Sequence, residues 1–167
     1  MWDKVERCLR GYPERLSVAK ILVRNGLSVR NGKIYCNEVL ISAVRISRAA
    51  SVDRRTVTKT IEAIEEDPEL RVIFEGIRSA GTSLREIARH LNLGVVEITP
   101  VDAKMPGILA RSASLIAERK ISIRQAIVDD PELSPEPKLT LIAERKIPGE
   151  LIPELLKIRG VSKVSVY

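Results

Sequence analysis

Aromatic residues make up 3% of this 167-residue chain, one Phe, one Trp and three Tyr. A core so poor in rings is filled by Ile, Leu, Val and Ala. Stacking on exposed rings is then not its main way of holding single-stranded nucleic acid, which disfavours an RNA-recognition sheet. Histidine occurs once, at His90, which removes paired-His metal sites and makes any Ser-His-Asp triad depend on that one residue. The two cysteines, Cys8 and Cys36, are too few and too widely spaced for a disulfide framework or a thiolate zinc site. No metal and no cofactor are expected. No uncharged run approaches the ~20 residues of a membrane span, so no membrane partner is expected. The charged start Met1-Trp2-Asp3-Lys4 is read as lacking a secretory leader, and the chain is expected in the cytoplasm.

What is present is ordinary globular composition, 44% hydrophobic and 30% charged, with a formal net charge of +6. The basic excess is uneven: residues 1–92 carry 17 Lys+Arg against 12 Asp+Glu, residues 93–167 carry 11 against 10. The texture changes at the same place, from helical periodicity to β-branched alternation. A boundary is therefore expected near Asn92, dividing a helical domain (1–92) from a mixed domain (93–167). The fold class expected is α+β.

In the first half, Leu16, Ala19, Ile21, Leu22 and Val23 predict a helix from Pro13 to Asn25, ended by Gly26. The turn signals Asn25-Gly26 and Asn31-Gly32 bracket a segment that reads either as a short hairpin or as an irregular loop. From Glu38 to Ala50 the apolar residues repeat at three-to-four spacing; Ser51-Val52-Asp53 interrupts them, and Val57, Ile61 and Ile64 resume. Helix, tight turn, helix is the expectation. A further helix follows Pro68, and Ser83 with Glu86 matches a capping box for a last short one. The first domain is expected to be all-helical or nearly so.

The second half reads β-α-β-β-α-β: a strand at 94–101, a helix launched by Pro106-Gly107, strands at 121–128 and 138–143, a helix after Pro148-Gly149, and a last strand from Val161 to Tyr167. Such an order makes a ferredoxin-like layer of four strands and two helices. The heptapeptide Leu-Ile-Ala-Glu-Arg-Lys-Ile occurs at 115–121 and again at 141–147. Context assigns the first copy to a helix and the second to a strand.

The segment from Ile41 to Ile64 looks like a helix-turn-helix, with Ser51 at the turn and Asp53 capping the second helix. Between Arg45 and Lys59 lie five basic residues and one acid. Recognition helices reach base edges with their N-terminal side chains and neutralise phosphates with longer basic ones. That nominates Arg45, Arg48, Arg54, Arg55, Thr56, Thr58 and Lys59 for double-stranded DNA. Glu65-Glu66-Asp67 should lie away from phosphate.

At Pro106-Gly107 a glycine lets the backbone approach a ligand, and the first N–H groups of the following helix are donors suited to a carboxylate. The residues Asp102-Ala103-Lys104-Met105-Pro106-Gly107-Ile108-Leu109, followed by Ile116 to Ile123, resemble the ACT domain. That family places an acid and Pro-Gly-aliphatic-Leu ahead of a helix and a glycine-containing entry to strand two. Here three residues rather than one separate Asp102 from Pro106, and Lys120 occupies the position where glycine is common. The resemblance implies side-by-side pairing of two copies. It implies an amino acid or related effector held between the helix-one loop of one copy and strand two of its neighbour. The residues so implicated are Asp102, Met105, Pro106, Gly107, Ile108, Leu109, Ser122, Ile123 and Gln125, with Asp102 holding the effector amine.

As a whole the chain is similar to the archaeal-type predicted regulators of amino-acid metabolism, which carry a helical DNA-binding region ahead of one ACT domain. The resemblance implies an amino-acid-responsive transcriptional regulator, homodimeric or higher, and not an enzyme. Its alternative is an allosteric regulatory subunit that binds no DNA and controls a biosynthetic enzyme by contact.

Overall fold

The computed structural model describes all 167 residues. They form an α+β chain of two compact units, residues 1–81 and 82–167, each with its own antiparallel sheet.

The first unit runs α1 (Trp2–Cys8), α2 (Pro13–Arg24), β1 (Leu27–Arg30), β2 (Lys33–Cys36), β3 (Val39–Ile41), α3 (Ala43–Ala50), α4 (Arg54–Glu66) and α5 (Pro68–Gly76). Pro13 starts α2, where a missing N–H costs nothing. Gly26, at φ +62°, is required twice over, because a Cβ there would meet the Ser79 backbone at 2.6 Å. The open question at 27–37 resolves to a hairpin: Arg30 faces Lys33 across Asn31-Gly32, both at positive φ, as a two-residue turn of the I′ kind demands. Asn37, also at positive φ, turns the chain into β3, giving the order β1-β2-β3.

That sheet corrects the all-helical expectation. The helix read from Glu38 begins only at Ala43, because the short run Val39-Leu40-Ile41 pairs with β2 instead; three β-branched or apolar residues in a row satisfy either period. Val18, Leu22, Val29, Ile34, Val57, Ile64, Leu70 and Phe74 are buried in this unit.

The second unit contains a 3-10 turn (Ala88–Leu91), then β4 (Gly94–Pro100), α6 (Ile108–Glu118), β5 (Ile123–Val128), β6 (Leu139–Ala143), α7 (Leu151–Leu156) and β7 (Val161–Val166). The strand order is β5-β6-β4-β7, antiparallel throughout, so β4 and β5 run parallel on either side of β6, a split βαβ arrangement. Val96 and Ile98 of β4 pack with Ile108 and Ile116 of α6, Leu141 of β6, and Leu151 and Leu155 of α7. The alternate residue Val95 faces the other side with Ala88, Leu93 and Ile142.

The two heptapeptides separate as expected. Leu115 to Glu118 close α6, whereas Leu141 to Ala143 are fully buried in β6. Their tails then meet, for Arg145 Nη2 donates to the carbonyls of Arg119 (3.3 Å) and Lys120 (3.1 Å).

The stretch 82–92, read in sequence with the first domain, belongs to the second unit, with Leu84 and Ala88 packed beside Val95 and Ile142. The expected capping-box helix does not form. Ser83 Oγ accepts from Arg85 N at 3.3 Å, and Glu86 pairs with Arg85 at 3.0 Å, leaving only the 3-10 turn.

Candidate functional site

The helix-turn-helix consists of α3 and α4. Between them Ser51 sits at φ +52° in the left-handed region, and Val52 N donates to Ser47 O at 3.0 Å. Asp53 caps α4, its Oδ1 accepting from Arg55 N at 2.6 Å. The helix buries Val57, Thr60, Ile61 and Ile64, which turns Arg54, Arg55, Thr58 and Lys59 outward. Arg54 with Thr58 and Arg55 with Lys59 are one turn apart on that face.

Arg45 and Arg48 are exposed on α3. None of these five cations forms an ion pair or a side-chain hydrogen bond. Thr58 Oγ1 turns back to Arg54 O at 3.3 Å. Thr56 is half-buried and donates to Glu14 Oε2 of α2 at 3.1 Å, so its hydroxyl is held by the fold.

The acids beyond this face have structural partners that sequence reasoning missed. Glu65 Oε1 accepts from Gly32 N of the hairpin at 2.5 Å, and Asp67 Oδ1 caps α5 through Glu69 N and Leu70 N, each at 2.9 Å. The Asp-Pro step was the visible signal for the cap; nothing local announced the hairpin contact.

In the second unit a cavity of about 200 Å³ opens beside the start of α6. Met105, Gly107, Ile108 and Leu109 line one wall, and Val128, Asp129, Pro137, Lys138 and Leu139, from the end of β5 and the start of β6, line the other. Gly107 has φ +93°, a conformation that any side chain would strain. The N–H groups of Ile108, Leu109 and Ala110 have no partner, so the positive end of α6 is free for an anion. Met105 leans on Gly160, where an added Cβ would collide with its Sδ.

The remaining residues named from the resemblance lie elsewhere. Asp102 and Pro106 are exposed and do not line the cavity, and Asp102 Oδ1 accepts from Lys104 N at 2.9 Å. Asp129, not singled out in sequence, is the carboxylate in the lining; its Oδ2 accepts from Lys138 N at 3.1 Å. Ser122 and Ile123 stand at the opposite end of β5, level with Ala143, roughly 17 Å of strand from Val128. Within one chain they do not join the cavity. Gln125 is bonded within its own chain: Oε1 accepts from Leu84 N at 3.0 Å and Nε2 donates to Thr82 O at 2.8 Å.

Lys120 adopts φ +54°, so the position where the resembled family places glycine does require left-handed backbone. No three His, Cys, Asp or Glu side chains gather as a metal-binding cluster, and no helix is long and apolar enough to cross a membrane.

No family model matches the chain, and no curated relative does. Among solved structures it is similar to the leucine response regulatory protein LrpA of Mycobacterium tuberculosis. The identity is 14% over 92% of this chain and 89% of that one, with a TM-score of 0.29. It is also similar to a point mutant of Rv3291c, at 15% identity over 100% of this chain and 92% of that one, with a TM-score of 0.28.

Proposed function

We propose that this protein is an amino-acid-responsive transcriptional regulator, with a helix-turn-helix that binds double-stranded DNA and an ACT domain that binds an effector. The observation that carries the reading is the row of five unpaired cations on α3 and the first turns of α4. Arg54 and Arg55 reach base edges in the major groove, and Arg45, Arg48 and Lys59 neutralise phosphates.

The effector is an amino acid whose carboxylate meets the free N–H groups at the start of α6 and whose side chain enters the cavity beside Ile108 and Leu109. Asp129 is the acid placed for the amine, ahead of Asp102, because it lines the cavity. Two copies pair through this domain, and the neighbour's Ser122 and Ile123 complete the site. Effector binding changes DNA affinity only if the two arrangements of the dimer bind it differently.

Two experiments test the reading separately. Thermal unfolding against each of the twenty amino acids should shift the midpoint with one or a few, since a ligand bound by the folded state alone stabilises it. Selection from a randomised duplex pool should enrich a sequence. No enrichment together with a retained thermal shift would replace this reading with the regulatory subunit that acts by protein contact. That second reading has one observation of its own, the outward Val39 and Leu40 of β3, which are 64% and 57% exposed.

A further inference from the structure

We propose that Gln125 is a positioning residue that couples the effector cavity to the segment joining the two units. This rests on the reading of the cavity beside α6 as the effector site. The second unit begins at Thr82, and Gln125 grips its first residues from both sides, accepting from Leu84 N and donating to Thr82 O. A glutamine amide carries an acceptor and a donor side by side, so it satisfies a backbone donor and a backbone acceptor at once. It thereby fixes the point from which the chain leaves the sheet toward the helix-turn-helix unit.

Gln125 sits on β5, an edge strand with a single neighbour, and the register of β5 against β6 slips between Ile123 and Gln125. Edge strands and bulges are where a sheet deforms most readily. Three residues further on, about 10 Å along the strand, Val128 and then Asp129 form a wall of the cavity. A ligand seated against Ile108 and Leu109 presses on that wall. The displacement runs along β5 to the irregular step at Gln125 and alters its hold on residues 82–84. The other restraints on the segment, the Arg85–Glu97 ion pair and the packing of Leu84, Ala88 and Leu93, reach β4 and β6 instead, so β5 acts on the segment through Gln125.

Hydrogen exchange read by mass spectrometry on the full chain tests this with neither DNA nor effector. Gln125→Met keeps the bulk and removes both bonds, and should speed exchange over 82–86 about tenfold while both sheets keep their protection. Gln125→Glu keeps the acceptor for Leu84 N–H and loses only the donor to Thr82, and should give an intermediate rate. It also serves if the methionine variant fails to fold. Val128→Trp, at a position 59% exposed, fills the cavity in place of a ligand. It should change exchange over 82–86 by about threefold in the otherwise unaltered chain and not in the Q125M background.

Unchanged exchange in Q125M and Q125E would overturn the clamp. An unchanged rate in V128W, or the same change in both backgrounds, would overturn the coupling. Failure of the regulator reading shows elsewhere, as absence of DNA binding by the unaltered protein, and leaves the exchange result standing.

Discussion

Glu65, in the last turn of α4, accepts the backbone N–H of Gly32 at the tip of the β1–β2 hairpin, 2.5 Å away. The bond ties the end of α4 remote from Arg54 to a turn 33 residues earlier. It gives a role to an acid that the sequence marked only as out of place near phosphate. Glu65→Ala should destabilise the first unit by about 1 kcal/mol, a charge-assisted bond discounted for its exposure. The exposed neighbour substitution Glu66→Ala should be close to neutral. Urea unfolding of the two variants side by side checks the difference.

Two residues that are neither glycine nor asparagine carry left-handed backbone, Ser51 at φ +52° and Lys120 at φ +54°. The left-handed penalty for an L residue is about 1–2 kcal/mol and the entropic cost of a new glycine somewhat under 1. Ser51→Gly and Lys120→Gly should therefore each raise stability by up to about 1 kcal/mol. Circular dichroism melts measure this. A fall in midpoint for both variants would contradict it.

Gly107 is the opposite case. Its φ of +93° means that Gly107→Val strains the backbone, by about 1–3 kcal/mol, while the added Cβ meets only the Arg111 side chain, at 3.9 Å. The variant should fold, distort the first turn of α6, and lose the thermal shift given by whichever amino acid shifts the unaltered protein. A retained shift would place the effector elsewhere.

Burial, with the Asp67 carboxylate adding to it, raises the Cys8 thiol above its ordinary pKa of 9.0. The folded chain thus holds this proton more tightly than the unfolded one. The resulting stability is fully present below about pH 9 and is lost as pH rises through the raised value. Iodoacetamide should modify Cys8 more slowly than an ordinary thiol at pH 8. Asp67→Asn, which retains a capping side chain for α5, should speed the reaction. Equal rates in the two proteins would remove the carboxylate from the account.

The second unit was legible in the sequence almost element by element, because its strands and helices are set apart by Gly and Pro and its apolar residues keep one period each. The repeated heptapeptide is the sharpest instance. The same residues end a helix at 115–118 in one copy and a central strand at 141–143 in the other, and the difference was visible only in what precedes each copy. Two elements were misread where local signals competed. Val39-Leu40-Ile41 fits both periods and was decided by pairing with β2. Ser83 and Glu86 have capping spacing, but the chain there is tied to the sheet by Gln125 and by the Arg85–Glu97 ion pair.

The candidate site divides in the same way. The cations of α3 and α4 and the Met105-to-Leu109 wall follow from sequence spacing. Asp129 and the role of Gln125 depend on contacts across 41 residues or more between Gln125 and Leu84, or on a cavity wall that only the folded sheet creates.

The central claim, that the outward face of α4 binds DNA, is tested most directly by fluorescence anisotropy on a duplex taken from the randomised pool, at several salt concentrations. The unaltered protein is compared with R54A/R55A. The account predicts that affinity falls linearly with the logarithm of salt. The double variant should bind at least about tenfold more weakly and discriminate less between that duplex and a scrambled one, while keeping most of the salt slope, which rests on Arg45, Arg48 and Lys59. Equal affinity and equal discrimination in the two proteins would contradict it.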